Sequence, residues 1–226
     1  MTTLMIEAVL WDMDGTLADT GELHYQTWNA ALAEYGFRIT REQFTNTFGM
    51  NSRRTMRELL GKTPSDELLE QIINQKEIAY RRLMPGNVEL LPGVQVWLDW
   101  LREHHIPQAV ASSAPVENIQ VFMNELHIAG YFEALVAGYE LPAKPAPDIF
   151  LLAAKRLGVD PDRCLVIEDA IAGVEAARRA GMTCLAVTTT NPREALCYAC
   201  RVVDTLDQIH PSEVIQHRDG EPTEDS

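Results

Sequence analysis

Val9-Leu10-Trp11-Asp12-Met13-Asp14-Gly15-Thr16-Leu17 lies close to the N-terminus of this 226-residue chain. The apolar run from Ile6 to Trp11, broken by Glu7, reads as a buried strand. It stops at two carboxylates two residues apart, followed by Gly15, which lets the chain turn sharply. Side by side, Asp12 and Asp14 are expected to raise each other's pKa by like-charge repulsion. Such a pair makes sense when a divalent cation sits between the carboxylates and one of them does chemistry. An acidic turn or a calcium loop is the competing reading. A calcium loop needs more oxygen ligands downstream and a closing Glu, and Ala18-Asp19-Thr20-Gly21 does not supply that pattern.

The length suits one ordinary domain plus a smaller one, and an apolar content of 46% is enough for a sizeable core. A formal net charge of −14 argues against nucleic acid or an anionic membrane as partner, since both call for a basic face. It leaves room for an anionic small molecule, because a metal and one or two local cations can dominate a pocket. No apolar run approaches the ~18 residues of a membrane span, and Glu7 interrupts the only candidate for a signal segment. The four cysteines lie in the last third. Cys197 and Cys200 have C-x-x-C spacing without a second pair or nearby His, so all four read as reduced thiols of a cytoplasmic protein. A monomer or weak homodimer is expected.

Outward from the first strand, helical periodicity takes over. His24 to Tyr35 reads as one helix ended by Gly36. Asn51 or Ser52 caps a second carrying Met56, Leu59 and Leu60, ended by Gly61. A third starts near Ser65 with Leu69, Ile72, Ile73, Lys76, Tyr80 and Leu83 on one stripe. From Leu91 the pattern alternates. Strands are expected at Ile106 to Ser112, Ala134 to Ala137, Cys164 to Ile167 and Thr183 to Val187, with Val202-Val203 as an edge. Helices are expected at Val94 to Leu101, Glu117 to Leu126, Pro147 to Leu157 and Ile171 to Ala180. Short apolar strands alternating with helices predict a doubly wound α/β fold with a parallel sheet. The expected division is a core of residues 1–17 and 91–216, an inserted α-helical cap of residues 18–90, and a disordered acidic tail of residues 217–226.

In such sheets ligands bind beyond the carboxyl ends of the strands, where the strand order reverses. The first strand ends at Asp12 and Asp14, the second at Ser112-Ser113 and the fourth at Glu168-Asp169, and Lys144 stands in the loop before the fourth. Singly, each has a bland explanation: a cap, a solvated cation, or acids favoured by a helix dipole. Together they place a hydroxyl, a cation and two acidic pairs on one rim.

Asp-x-Asp-Gly-Thr after a hydrophobic strand, the Ser at the second strand end, Lys144 in Ala143-Lys144-Pro145-Ala146-Pro147-Asp148, and Glu168-Asp169 occur in the order found in the haloacid dehalogenase-like hydrolases, and the chain resembles that superfamily over nearly its whole length. Within it, Asp19-Thr20-Gly21-Glu22-Leu23-His24 with Trp28, and the Lys76-to-Tyr80 spacing, are similar to the β-phosphoglucomutases and their sugar-phosphatase relatives. The resemblance implies Mg2+ as cofactor and a small-molecule phosphate ester as substrate. It implies that Asp12 is the nucleophile, that Asp14 donates a proton to the leaving oxygen and then activates water, and that the backbone carbonyl at Asp14 is a metal ligand. Asp169 binds the metal with Glu168 as auxiliary. Lys144 and Ser112 hold phosphoryl oxygens, with backbone N–H help near Gly15. Gly15, Thr16, His24, Gly49, Arg53, Lys76, Ser113 and Asn118 are the expected substrate contacts, Arg53 for a second anionic group. The second Asp favours phosphate esters over carbon–halogen bonds. Two departures touch the second phosphate: the mutase cap loop Lys-Gly-x-Ser-Arg is replaced by Phe48-Gly49-Met50-Asn51-Ser52-Arg53, and Ala114-Pro115 stands where the mutases have Lys. The expectation is a phosphatase, with a hexose-phosphate mutase and a non-catalytic binding protein as alternatives. No Gly-x-x-x-x-Gly-Lys-Ser/Thr loop occurs.

Overall fold

The structure is a computed structural model and describes residues 4–45, 47, 50, 52–60 and 65–216. Its centre is a six-stranded parallel sheet of order β4-β3-β2-β5-β6-β7. The strands are β2 (Ala8–Trp11), β3 (Gln108–Ser112), β4 (Ala134–Ala137), β5 (Cys164–Glu168), β6 (Thr183–Val187) and β7 (Arg201–Val203). A separate short pair joins β1 (Leu4–Met5) to β8 (Ile215–Gln216). β2 is central. Trp11 is in register with Val110 on one side and Ile167 on the other, so the order reverses at the end of β2, beside Asp12.

The expected strand from Ile6 begins only at Ala8, because exposed Glu7 turns outward to pair with Arg163 at 2.5 Å. The second strand begins at Gln108 rather than Ile106. Pro107 has no N–H for the ladder, though its carbonyl accepts from Val9 N at 3.0 Å.

Alternation along β2 feeds two cores. Val9 and Trp11 join the face covered by α5 (Val94–Glu103) and α6 (Val116–Glu125). Ala8 and Leu10 join the face covered by α7 (Asp148–Leu157) and α8 (Ile171–Arg179). The buried indoles are satisfied: Trp11 Nε1 donates to Gln108 Oε1 at 3.0 Å and Trp97 Nε1 to the Ile209 carbonyl at 2.9 Å.

The helices inserted after β2 are α1 (Gly21–Ala33), α2 (Arg41–Thr45), α3 (Ser52–Leu60) and α4 (Asp66–Leu83). They enclose a third cluster of their own, including Trp28, Leu32, Phe44, Met56, Leu69 and Ile72. Ser65 caps α4 by accepting from Leu68 N. The short α2 was not expected, yet Thr40-Arg41-Glu42-Gln43 is a capping box. Thr40 N donates to Gln43 Oε1, and Gln43 N to Thr40 Oγ1. Ser52 is the first residue of α3, not its cap, while the other cap candidate Asn51, the expected stop Gly61 and the acidic tail lie outside the described residues. The chain leaves and re-enters the sheet layer through a narrow neck, where Ala18 bridges to Leu90 and Leu91 N donates to the Leu17 carbonyl at 2.9 Å.

Candidate active site

Three buried carboxylates meet past the ends of β2 and β5. Asp12, Glu168 and Asp169 offer oxygens that all lie within 4.8 Å of one another. Lys144 reaches in from the loop before α7, only 3% exposed, and donates to Asp12 Oδ1 at 2.5 Å and Glu168 Oε1 at 2.6 Å. The second Glu168 oxygen is fixed by the backbone, accepting from Asp169 N at 2.8 Å and Ala170 N at 2.7 Å, at the N-terminal end of α8. Thr16 and Thr190 each donate a hydroxyl to Asp169, and Asn191 Nδ2 donates to its carbonyl.

Two glycines make this crowding possible. Gly15 has φ of +90°, and a side chain there would collide with the Asp169 carboxylate. Gly173, inside α8, leaves the space that the Glu168 carboxyl fills. Gly173→Ala is therefore expected to push Glu168 off Lys144 and lower turnover about 100-fold. Helix propensity alone favours Ala here, so a small change in Tm beside a large fall in kcat/KM is the expected pairing; unchanged kcat/KM would remove Glu168 from the working site.

Charge explains why the cluster is costly without a partner. Burial, and then the nearby acids against Lys144, push the Asp12 carboxyl up to about 7. Burial and the charges of Glu168 and Asp12 likewise raise Asp169. Lys144 moves the opposite way to most buried lysines, because Asp12 and Glu168 outweigh its own desolvation and keep it charged. Three carboxylates against one ammonium leave an excess of about two negative charges on hard oxygen donors, which fits a small divalent cation.

Asp14 is a correction to the sequence expectation. Its pKa is not raised beside Asp12 but lowered to about 2: burial alone would raise it, and His24 and Thr20 more than offset that. The side chain has turned away from the acidic cluster toward the inserted helices. Asp14 Oδ1 accepts from Thr20 Oγ1 at 2.6 Å and Tyr80 OH at 3.2 Å, and lies 3.1 Å from His24 Nε2. His24 in turn stacks on the Tyr80 ring with centroids 4.2 Å apart. Thr20 stands at the N-cap of α1 but spends its hydroxyl on Asp14; Asp19 serves the helix instead, accepting from Gly21 N.

A pocket opens between this cluster and the inserted helices. Asp12, Asp14, His24, Lys76, Ser112, Ser113 and Asn118 all line it, so the structure brings together four of the eight expected substrate contacts, His24, Lys76, Ser113 and Asn118. Gly15 and Thr16 serve Asp169 instead, and the Gly15 N–H donates to the Ala18 carbonyl, so that residue's own N–H does not supply the expected backbone help. Gly49 lies outside the described residues. Arg53 is a second correction. It points away from the pocket, with Nε bound to Glu70 at 2.7 Å. Its neighbour Arg54, one helical position on, turns toward the core and donates to the Lys144 carbonyl at 3.1 Å.

Four contributors were missed by the sequence reading. Thr190 belongs to a loop without periodicity. Thr20 and Tyr80 look like a helix cap and a core aromatic. Glu77 reads as a solvated helix acid, yet it is 4% exposed and lines the pocket.

The haloacid dehalogenase-like hydrolase family model matches residues 6–181. The chain belongs to the haloacid dehalogenase-like hydrolase family. As a haloacid dehalogenase-like hydrolase it is an enzyme, and its fold is that family's α/β core with an α-helical insertion. The fructose-1-phosphate phosphatase YqaB of Escherichia coli is 34% identical over 175 residues, 77% of this chain and 92% of that protein. The β-phosphoglucomutase of Bacillus subtilis is 30% identical, covering 83% and 85% of the two chains. Among solved structures, β-phosphoglucomutase from Clostridium difficile superposes with a TM-score of 0.82 at 29% identity, covering 91% of this chain and 93% of the other. Among the described residues, no helix of this hydrolase is long and apolar enough to cross a membrane.

Proposed function

We propose that this protein is a magnesium-dependent phosphatase that hydrolyses a small phosphorylated metabolite, a sugar phosphate, through an aspartyl-phosphate on Asp12. The observation that carries the reading is the buried Lys144 spanning Asp12 and Glu168, next to Asp169, with Asp12 lining a pocket. A phosphate monoester is nearly a dianion, and at ~4 Å with an effective dielectric near 20 each charge pair is worth about 4 kcal/mol. An attacking carboxylate therefore needs positive charge beside it. Lys144 supplies one such charge. Asp12, Glu168, Asp169 and the Asp14 carbonyl would hold Mg2+, which supplies the remaining neutralisation of the phosphoryl oxygens.

An Asp12 oxygen attacks phosphorus, the P–O bond to the leaving group breaks, and the leaving oxygen takes a proton. The Asp14–His24 pair is the source of that proton. Asp14 delivers it, held in place by Thr20, Tyr80 and the His24 Nε2 at 3.1 Å. In the second step Asp14, ionised and so able to accept, takes a proton from the water that attacks the aspartyl-phosphate. Ser112, buried at the end of β3, binds a phosphoryl oxygen. The helical insertion, residues 18–90, acts as the cap that excludes water and reads the leaving group.

The mutase reading draws on the B. subtilis relative and the C. difficile neighbour. The ion pair of Arg53 with Glu70 and the Ala114-Pro115 segment favour hydrolysis instead. A panel of phosphate esters with Mg2+ decides the matter. Inorganic phosphate released from sugar phosphates is the expected result. Glucose 6-phosphate formed from β-glucose 1-phosphate with a trace of bisphosphate would make it a mutase, and no turnover on any ester would leave a binding protein.

A further inference from the structure

The far wall of the pocket holds a buried ion pair that the chemistry above does not use. Lys76 and Glu77 are adjacent on α4, where neighbouring side chains ordinarily diverge. Here both are buried, 2% and 4% exposed, and Lys76 Nζ donates to both Glu77 oxygens, at 3.1 and 3.0 Å. Ser52 Oγ donates to Glu77 Oε1 and Asn118 Nδ2 to Glu77 Oε2, each at 2.6 Å. A buried carboxylate is costly unless its lone pairs are filled, and these four contacts fill them. They tie α3, α4 and α6 to one group.

We propose that Glu77 is a specificity-determining residue: by neutralising Lys76 and holding a carboxylate in the pocket wall, it restricts the enzyme to esters whose leaving group is uncharged and excludes sugars carrying a second phosphate. The proposal rests on the phosphatase reading above and narrows its substrate class.

The charge inventory carries it. Among the described residues, the basic side chains that line the pocket are Lys76 and His24, and each faces a carboxylate, Glu77 and Asp14. Arg53 is held by Glu70, and Arg81 lies behind Asn118, donating to its Oδ1 at 2.7 Å from the neighbouring cleft. A second phosphate on the leaving group would find no net positive charge there and a fixed negative one. The remaining wall offers hydroxyls, those of Thr47, Thr55 and Ser113, which suit a sugar. Glu77 also stays ionised, since Lys76 and Ser52 outweigh the cost of its burial.

The test compares kcat/KM for fructose 1-phosphate and fructose 1,6-bisphosphate, which present the same ester and differ by one remote phosphate. Two charges about 7 Å apart at an effective dielectric near 20 correspond to roughly 50-fold, which opposition from Lys76 reduces to about 10-fold. Wild type is expected to favour the monophosphate by at least about 10-fold. Glu77→Gln should shrink that preference about 10-fold, Lys76→Gln should enlarge it, and Glu77→Asp, which keeps the charge, should preserve it. Opposite shifts from the two halves of one ion pair are not produced by loss of folding, which lowers both substrates together. Should Glu77→Gln not fold, Lys76→Gln and Glu77→Asp still decide. Equal ratios in all folded variants, or wild-type turnover of the bisphosphate at parity, overturn the assignment of Glu77. p-Nitrophenyl phosphate, which bears no second charge, separates this from the parent reading. If wild type cleaves it with Mg2+ while the sugar ratio does not move, only Glu77 is misassigned. If neither it nor any sugar phosphate is cleaved, the phosphatase reading falls as well.

Discussion

Asp12→Asn is expected to abolish phosphoenzyme and to lower turnover by at least about 10⁴-fold, the scale on which loss of a nucleophile is felt. Asn is nearly isosteric with Asp, so the loss would be chemical, since an amide oxygen in place of a carboxylate is a poor nucleophile. The structure adds a second, opposite expectation. Asp12 is one of three buried carboxylates competing for one lysine. Removing its charge relieves repulsion on Glu168 and Asp169, so the folded variant should be no less stable than wild type in the absence of metal. Thermal denaturation in chelator and mass spectrometry of acid-quenched enzyme check both halves. A variant that kept more than about 1% of wild-type turnover would put the attack on another group.

Removal of divalent cations is the second large perturbation. Chelation should lower turnover at least about 10³-fold and make stability depend on pH in a defined direction. Asp12 has its pKa raised from an ordinary value near 4 to about 7 in the fold, by burial first, and Asp169 is raised as well. A carboxyl whose folded pKa is raised binds its proton more tightly when folded. Its favourable contribution is complete below the unfolded pKa and is lost as pH climbs through the folded one. Metal-free protein should therefore lose on the order of 3 kcal/mol between about pH 4 and 7. Asp14 has the opposite sign, because its depressed pKa lends stability above about pH 4 that is lost only toward pH 2. It does not mask the effect between pH 5 and 8. Added Mg2+ should raise Tm more at pH 8 than at pH 5, since it replaces the missing protons. A metal-free Tm that rose from pH 5 to pH 8, with equal Mg2+ shifts at both, would contradict the cluster's electrostatics.

The sheet was legible because each strand is a short apolar run with punctuation at both ends, and the acids, serine and lysine stand where those runs stop. Strand ends converge in a doubly wound sheet whatever the loops do, so spacing along the chain was enough to place Asp12, Ser112, Lys144, Glu168 and Asp169. The helical insertion was harder. Choosing Arg53 over Arg54 requires knowing α3's rotation to within the ~100° between successive residues, and sequence does not fix that. Glu77 was invisible for a related reason. An acid next to a lysine on a long helix looks solvated, and only the approach of Ser52 from α3 and Asn118 from α6 makes it an interior group. Asp14 shows the limit of nearest-neighbour charge reasoning. Its closest partners in space are Thr20, His24 and Tyr80, and the last is 66 positions away.

The central position of β2 bears on how the molecule is made. The first strand of the six-stranded sheet to leave the ribosome is the one that must be flanked on both sides, by β3 and by β5, and the partner of Trp11 in β5 is Ile167. Some 150 residues of chain have to be synthesised before that second edge can close, so the segment leading to Asp12 waits as an unpaired apolar ribbon. The helices of the insertion, with their own cluster around Leu32 and Ile72, can form as they emerge. Assembly of the acidic cluster is then expected late in folding rather than first, and truncated chains ending before Cys164 should be sticky, chaperone-bound and inert.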